Sequence, residues 1–240
     1  MTQRGFSIPI IALFIAFLAL PGQGQAADSV SVTIANRTLT LEVPAGACAL
    51  DKNKTTDVPM ITFMETSNQN LNRVLLVFAE CGELADWRTG KLLYLNHYGY
   101  MATPVALMNQ SLNITQLQVN NELRPHFSPT SAAMTEAMAE GKSRANNALD
   151  DLANTNAQVN ETKILGVLEE DINGIYVGAV VGLNVDGEAK KNLGVFSTTL
   201  IKDKLVYIYQ YEQHTGESGQ FDRLLSWVKA TSVQQKALNP

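Results

Sequence analysis

The chain is poor in the residues that announce chemistry. It has three histidines, two cysteines and two tryptophans in 240 residues. His97, His126 and His214 lie far apart, none at ligand spacing from another histidine, a cysteine or a carboxylate, so no zinc signature can be written. The GxSxG, HExxH, Walker A and GxGxxG patterns are all missing. No apolar run after residue 20 reaches the roughly twenty residues that a membrane span takes. Positive charge is short as well, with 23 Asp and Glu against 18 Lys and Arg. That balance argues against nucleic acid, whose binding rests largely on neutralised phosphates.

What the chain does have begins with an address. Arg4 gives a short positive segment, and an apolar run follows from Ile8 to Leu20. Gly24 and Ala26 then stand at the −3 and −1 positions of a cleavage site, which is the plan of a secretory signal peptide. Residues 1–26 are therefore expected to be removed. The remaining 27–240 suit a single domain able to bury a proper core, with a net charge of −6 once Arg4 is gone. The expected location is the periplasm or the medium outside the cell. In such an oxidising compartment Cys48 and Cys81 are expected to form a disulfide. A nucleophilic Cys81 at a helix start is the functional rival.

The stretch from Lys163 to Tyr211 organises the rest. Ile175, Val177, Ala179, Val181 and Leu183 repeat at period two, as the residues of one strand face do. Asn173-Gly174 provides a tight turn back to the apolar run at Ile164 to Leu168. Val195 to Ile201 meets Leu205 to Tyr211 across Lys202-Asp203-Lys204. An N-terminal hairpin is expected as well, with Val30, Val32 and Ile34 opposite Leu39, Leu41 and Val43. The fold class is thus α+β, a mostly antiparallel sheet built from hairpins, with helices packed on it.

The covering segments follow in order. A helix capped by Asp57 should run to about Thr66, Pro59 being tolerated in the first turn. Val74 to Ala79 and Leu92 to Tyr98 read as strands, with a short helix from Gly82 to Thr89 between them. A helix beginning near Ser128-Pro129 carries Met134, Met138, Gly141, Ala145, Ala148 and Leu152 as a stripe of modest grip. Asn154 to Glu161 reads as a polar loop. The last helix, Ser218 to Lys236, should dock Phe221, Leu224, Leu225 and Val228 on the final hairpin, with Trp227 on its flank.

Candidate chemistry is thin. His214 to Gly219 reads His-Thr-Gly-Glu-Ser-Gly, but neighbours in one loop seldom build a triad. Glu169, Glu170 and Asp171 alternate faces on a strand and do not converge. The methionines at 60, 64, 134 and 138 have the spacing of core residues more than of copper ligands. No catalytic residue, metal ligand or cofactor is assigned. Tyr207, Tyr209 and Tyr211 fall on one strand face and are the candidate ligand-facing residues, either lining a groove or lying under the last helix. Five sequons, at Asn36, Asn53, Asn109, Asn113 and Asn160, matter only where exported proteins are glycosylated.

The pieces GVLEEDINGIYVG and KDKLVYIYQYEQHTG resemble a type of uncharacterised exported bacterial protein over the last third of the chain. Cys48-Ala-Leu-Asp51 and Phe78-Ala-Glu-Cys81 are further matches. The order of elements also resembles the Mog1/PsbP-like α+β sandwich, which implies helices over an antiparallel sheet and transfers no site residue. The expected function is a non-catalytic binding or envelope-associated module, its partner an envelope protein or a small apolar ligand. A hydrolase with a site assembled from scattered residues is the alternative.

Overall fold

The structure, a computed structural model, describes residues 29–151 and 156–240. The expected signal peptide and Leu152 lie outside the described residues. Nine strands and five α-helices follow one another as β1 (Ser29–Ile34), β2 (Arg37–Glu42), β3 (Ala47–Ala49), α1 (Val58–Ser67), β4 (Asn72–Glu80), α2 (Cys81–Arg88), β5 (His97–Pro104), α3 (Gln116–Leu123), α4 (Ala132–Asp150), β6 (Ala157–Glu170), β7 (Ile175–Val185), β8 (Glu188–Ile201), β9 (Lys204–Gln213) and α5 (Gln220–Ala237). Seven strands form one antiparallel sheet in the order β3-β4-β5-β9-β8-β7-β6, and β1 and β2 form a separate hairpin. The α+β class and the antiparallel meander expected from period-two patterning are both present.

Both faces of the sheet are covered, which is why its central strands are apolar on both sides. On one face Phe78, Met101, Val206 and Ile208 pack against Ile34, Leu39 and Leu41 of the β1–β2 hairpin. Further along that face Tyr176, Leu193 and Val195 meet Leu224 and Val228 of α5. The opposite face carries α1 and α2 at one end, through Ile61, Met64 and Leu84. At its other end lies α4, through Met134 on Ile164, Val177 and Ala179. α1 and α4 also touch each other, completing the helical layer above the middle of the sheet.

Side-chain amides finish what strands alone leave open. Gln235 of α5 exchanges hydrogen bonds with the backbone of Glu42, its Oε1 accepting at 3.1 Å and its Nε2 donating at 2.9 Å. Asn239 does the same for Thr40, at 2.9 and 2.7 Å. The edge of the small hairpin is thereby paired, although no strand reaches it. Asn146 of α4 treats Val159 on the edge strand β6 in the same way, at 2.7 and 3.2 Å. The expected apolar face of α5 is present, with Phe221, Leu225 and Trp227 packed beside Leu224 and Val228, and these amides add a polar half to it. The inward stripe of α5 includes buried Thr231, Ser232 and Gln235 beside Leu224 and Val228, whereas Phe221 and Leu225 are half-buried. The last helix is held by polar bonds as much as by apolar area.

Three expected boundaries are corrected. The strand placed at Leu92 starts at His97, because Lys91 and Leu92 donate to Asp86 at the end of α2 and Glu83 accepts from the backbone of Asn96 and His97. The polar loop ending at Glu161 is strand from Ala157 on, its backbone drawn into pairing by β7 and Asn146. The helix placed at Ser128-Pro129 begins at Ala132, with Ser131 as the cap that accepts from Met134 N at 3.1 Å. Cys48 and Cys81 are joined, their Cα atoms 4.9 Å apart, inside the range a disulfide allows. Cys81 is thus not a free nucleophile. Among the described residues no helix is long and apolar enough to cross a membrane.

Candidate functional site

Four tyrosines make one surface beneath the place where α1 meets α4. Cross-strand pairing sets Tyr98 opposite Tyr211 and Tyr100 opposite Tyr209, so all four rings leave the sheet on the same side. The ring centroids lie 5.2 Å apart for Tyr98 and Tyr211 and 4.4 Å apart for Tyr100 and Tyr209, both pairs stacked. Phe196 stacks on Tyr209 at 5.2 Å. Gly194 makes room for this array, since a Cβ there would come within 2.9 Å of the Tyr211 ring.

Above the rings lies a cavity of about 350 Å³, within the size range of small-molecule sites. Phe63 and Met64 of α1 and Asn68 just after it form one wall, and Ala137, Met138, Gly141 and Ala145 of α4 form the roof. The roof is high because its residues are small. A Cβ added at Gly141 would meet nothing within 4 Å. The Ala/Gly stripe that reads as weak packing is therefore also the source of the space.

Of the three tyrosines singled out from sequence, Tyr209 and Tyr211 line this cavity, and Tyr207 stands beside it, edge-on to Tyr209 at 6.1 Å. They do not lie under the last helix. Residues 207, 209 and 211 point away from the face that α5 covers, where Gln210 bonds Thr231 at 3.2 Å. Sequence reasoning missed Tyr98, Tyr100, Asn68 and Arg144. The alternation Tyr98-Gly99-Tyr100 was a legible signal, matching the Tyr209-Gln210-Tyr211 period.

Burial keeps the rings neutral further into the alkaline range than an exposed tyrosine would be. It raises the hydroxyl pKa of Tyr98, pushes Tyr100 up to about 12, and lifts Tyr209 and Tyr211 well above the ordinary value of 10. The hydroxyls therefore serve as neutral hydrogen-bonding groups, as at Tyr98, which accepts from Asn192 Nδ2 at 3.2 Å. A consequence for stability follows with a definite sign. The folded state holds these protons more tightly than the unfolded chain does, so their contribution is intact below about pH 10 and is lost as pH rises toward 12. Tyrosinate absorbance is expected to appear together with collapse of the near-ultraviolet circular dichroism. A full complement of tyrosinate at pH 10 in a still-folded protein would contradict the burial.

The other candidates serve structure. His97 Nδ1 is 2.6 Å from Glu83 Oε1, and its Nε2 is 3.8 Å from Glu212. Burial alone would raise the Glu83 pKa, but the bonds from His97 and Asn96 hold it below the usual carboxylate value. Glu212 also accepts from Gln220 at 2.8 Å and Arg223 at 3.0 Å, and Gln220 Oε1 in turn lies 3.0 Å from His214 Nδ1. This network pins the link into α5. Ser218 of the His-Thr-Gly-Glu-Ser-Gly stretch is exposed and takes no part in its hydrogen bonds. His126 is exposed.

Glu169 pairs with Lys229 and Glu170 with Arg124. Asp171 closes its turn by accepting from Asn173 N, Gly174 N and the Tyr176 hydroxyl at 2.7, 3.0 and 3.0 Å. Met64 and Met134 are buried in separate clusters. Among the described residues no group of three His, Cys, Asp or Glu side chains could hold a metal ion. No protein-family model and no curated protein of similar sequence matches this chain.

Proposed function

We propose that the protein is an exported, non-catalytic binding module that takes a small apolar ligand in the cavity between the tyrosine face and α4. One observation carries this reading: a partly open cleft of about 350 Å³ is lined by stacked tyrosines on one side and by alanine and glycine of α4 on the other. Flat rings with neutral hydroxyls suit an apolar guest that makes a few polar contacts. Export rests on the signal pattern at residues 1–26, with the disulfide in keeping. The likeness to uncharacterised exported bacterial proteins agrees with a periplasmic or secreted location. The hydrolase reading has His97 beside two carboxylates in its favour. It has no hydroxyl or thiol nucleophile among the groups that His97 contacts.

The roof also provides the way in. α4 joins the sheet mainly through Met134, half-buried Met138 and the bonds of Asn146 and Lys142 to β6. Its other side rests on α1. By contrast, α5 buries Leu224 and Val228, about 1.5–3 kcal/mol each, and adds the amide pairs to Thr40 and Glu42. Native-state hydrogen exchange on the mature protein, with and without a neutral fluorophore such as N-phenylnaphthylamine, tests the reading. Amides of 132–150 are expected to exchange before those of 220–237, and saturating dye is expected to slow the first set alone. Equal protection of both sets, unmoved by dye, would overturn the proposal.

A further inference from the structure

We infer that the outer edge of β1 takes up one extended segment of another protein, a strand of alternating apolar and polar residues that carries a carboxylate. The described residues have four sheet edges, and three of them are closed to a further strand. On β2 the amides of Gln235 and Asn239 occupy the edge groups of Glu42 and Thr40. β3 is three residues long. β6 shifts its register at three places, carries Lys163, Glu169 and Glu170, and bonds Asn146 through Val159. Short strands, bulges, charges and covering groups are the usual guards of an edge. β1 has no charge, proline or bulge: it reads Ser-Val-Ser-Val-Thr-Ile and pairs with β2 without a break in register.

The hairpin fixes which groups are open. Ile34 and Arg37 flank a two-residue turn and form its hydrogen-bonded closing pair. Bonded and non-bonded pairs alternate along an antiparallel ladder, so the N–H and C=O groups of Ser29, Ser31 and Thr33 point away from β2. The same alternation sends those of Thr40 and Glu42 to the other edge, where Asn239 and Gln235 meet them. Beside β1 runs a groove of about 440 Å³, with Ser31, Val32 and Thr33 on one side and Asn72 to Leu75 of β4 on the other. β3 pairs only with Phe78 to Glu80 of β4 and does not reach this groove. Val30 and Leu75 are half-buried against the apolar cluster beneath the hairpin, so the inward residues of an added strand have apolar surface to cover. Lys52, Arg73 and Glu65 also line the groove, two cations to one carboxylate. Arg73 reaches across it to Thr33 O at 2.9 Å. A second copy of this chain would bring the same excess of positive charge, so charge complementarity favours a different chain with an acidic residue. Adding a strand to an open edge is a recurring mode of peptide recognition.

The probe is a labelled, capped hexapeptide, Thr-Val-Asp-Val-Thr-Val, titrated into the mature protein. It is expected to bind, and methylating its backbone nitrogens that face β1 should weaken it at least about tenfold, since several hydrogen bonds are lost together. Exchanging its Asp for Lys should also weaken it, and Arg73→Ser should reduce that preference. Ser31→Pro removes an N–H that the hairpin ladder does not use, the position at which an edge strand tolerates proline. It should abolish binding while the near-ultraviolet circular dichroism stays that of the parent, and Ser31→Thr should bind as the parent does. No binding of the Asp peptide, or binding that survives both backbone methylation and Ser31→Pro, would overturn the inference. A parent that sediments as a dimer, with Ser31→Pro a monomer, would overturn it as well and assign the edge to a second copy.

Discussion

Replacing Asp57 with alanine is expected to destabilise the protein by about 3 kcal/mol, because it removes the fully buried partner of a half-buried arginine together with the other bonds that carboxylate accepts. The Asp57 side chain is fully buried, and Arg88 is 23% exposed. Arg88 reaches it twice, Nε at 3.0 Å and Nη2 at 2.5 Å, and also donates to Ala49 O at 3.3 Å. Asp57 further accepts from Asp51 N and the Thr56 hydroxyl, each at 2.9 Å. One carboxylate therefore ties the loop before α1 to the end of α2 and to β3. It sits at the N-cap position of α1 without capping it through its side chain, since its oxygens are committed elsewhere.

The pH dependence of this contribution has a fixed sign. Burial alone would raise the pKa of Asp57, but the bonds from Arg88, Asp51 and Thr56 lower it below the ordinary 3.8. Its stabilisation is therefore intact above about pH 4 and is lost as pH falls further. Urea denaturation of Asp57→Ala and Arg88→Ala at neutral pH checks the magnitude. A loss below about 1 kcal/mol, the range of a surface pair, would contradict this assignment.

Removing the disulfide is the second large effect. Cys48 and Cys81 are 33 residues apart, and closing a loop of that length is worth about 3.5–4 kcal/mol on the chain-entropy model. The double variant Cys48→Ala, Cys81→Ala should lower the urea midpoint accordingly. The closed loop contains α1, so the loss should be felt at the cavity wall built from Phe63, Met64 and Asn68. The same loop contains Asp57, and Arg88 lies just beyond its end. Combining the cysteine variant with Asp57→Ala is thus expected to depart from additivity. A double variant as stable as the parent would mean that the bond constrains nothing the fold does not already fix.

The strands were legible in the sequence because a sheet covered on both faces leaves a period-two trace. Ile175 to Leu183 and Leu205 to Tyr211 carry it plainly, and Asn173-Gly174 marks the turn between β6 and β7. The disulfide was legible from compartment and count. The polar half of α5 was not, because Thr231, Ser232 and Gln235 look like solvent-facing residues until Ser197, Gln210 and Glu42 are placed opposite them. The cavity was half legible. Tyr209 and Tyr211 stood out as a row, but their stacking partners arrive from β5, more than a hundred residues earlier in the chain. The Met134-to-Ala148 stripe was read as weak packing, which is true of its buried area and silent about the void it leaves.

The most direct measurement on the cavity is the affinity of Gly141→Leu for N-phenylnaphthylamine, set beside its thermal stability. A side chain at Gly141 has open space to enter, and leucine is favoured over glycine in a helix by about 1 kcal/mol. The substitution should therefore hold or raise the melting temperature while filling the space above Tyr98, Tyr100, Tyr209 and Tyr211. The expected result is a folded, equally or more stable protein that binds the dye at least about tenfold more weakly, as loss of the site's apolar contact requires. A folded Gly141→Leu variant that binds the dye as tightly as the parent would contradict a ligand site beneath α4.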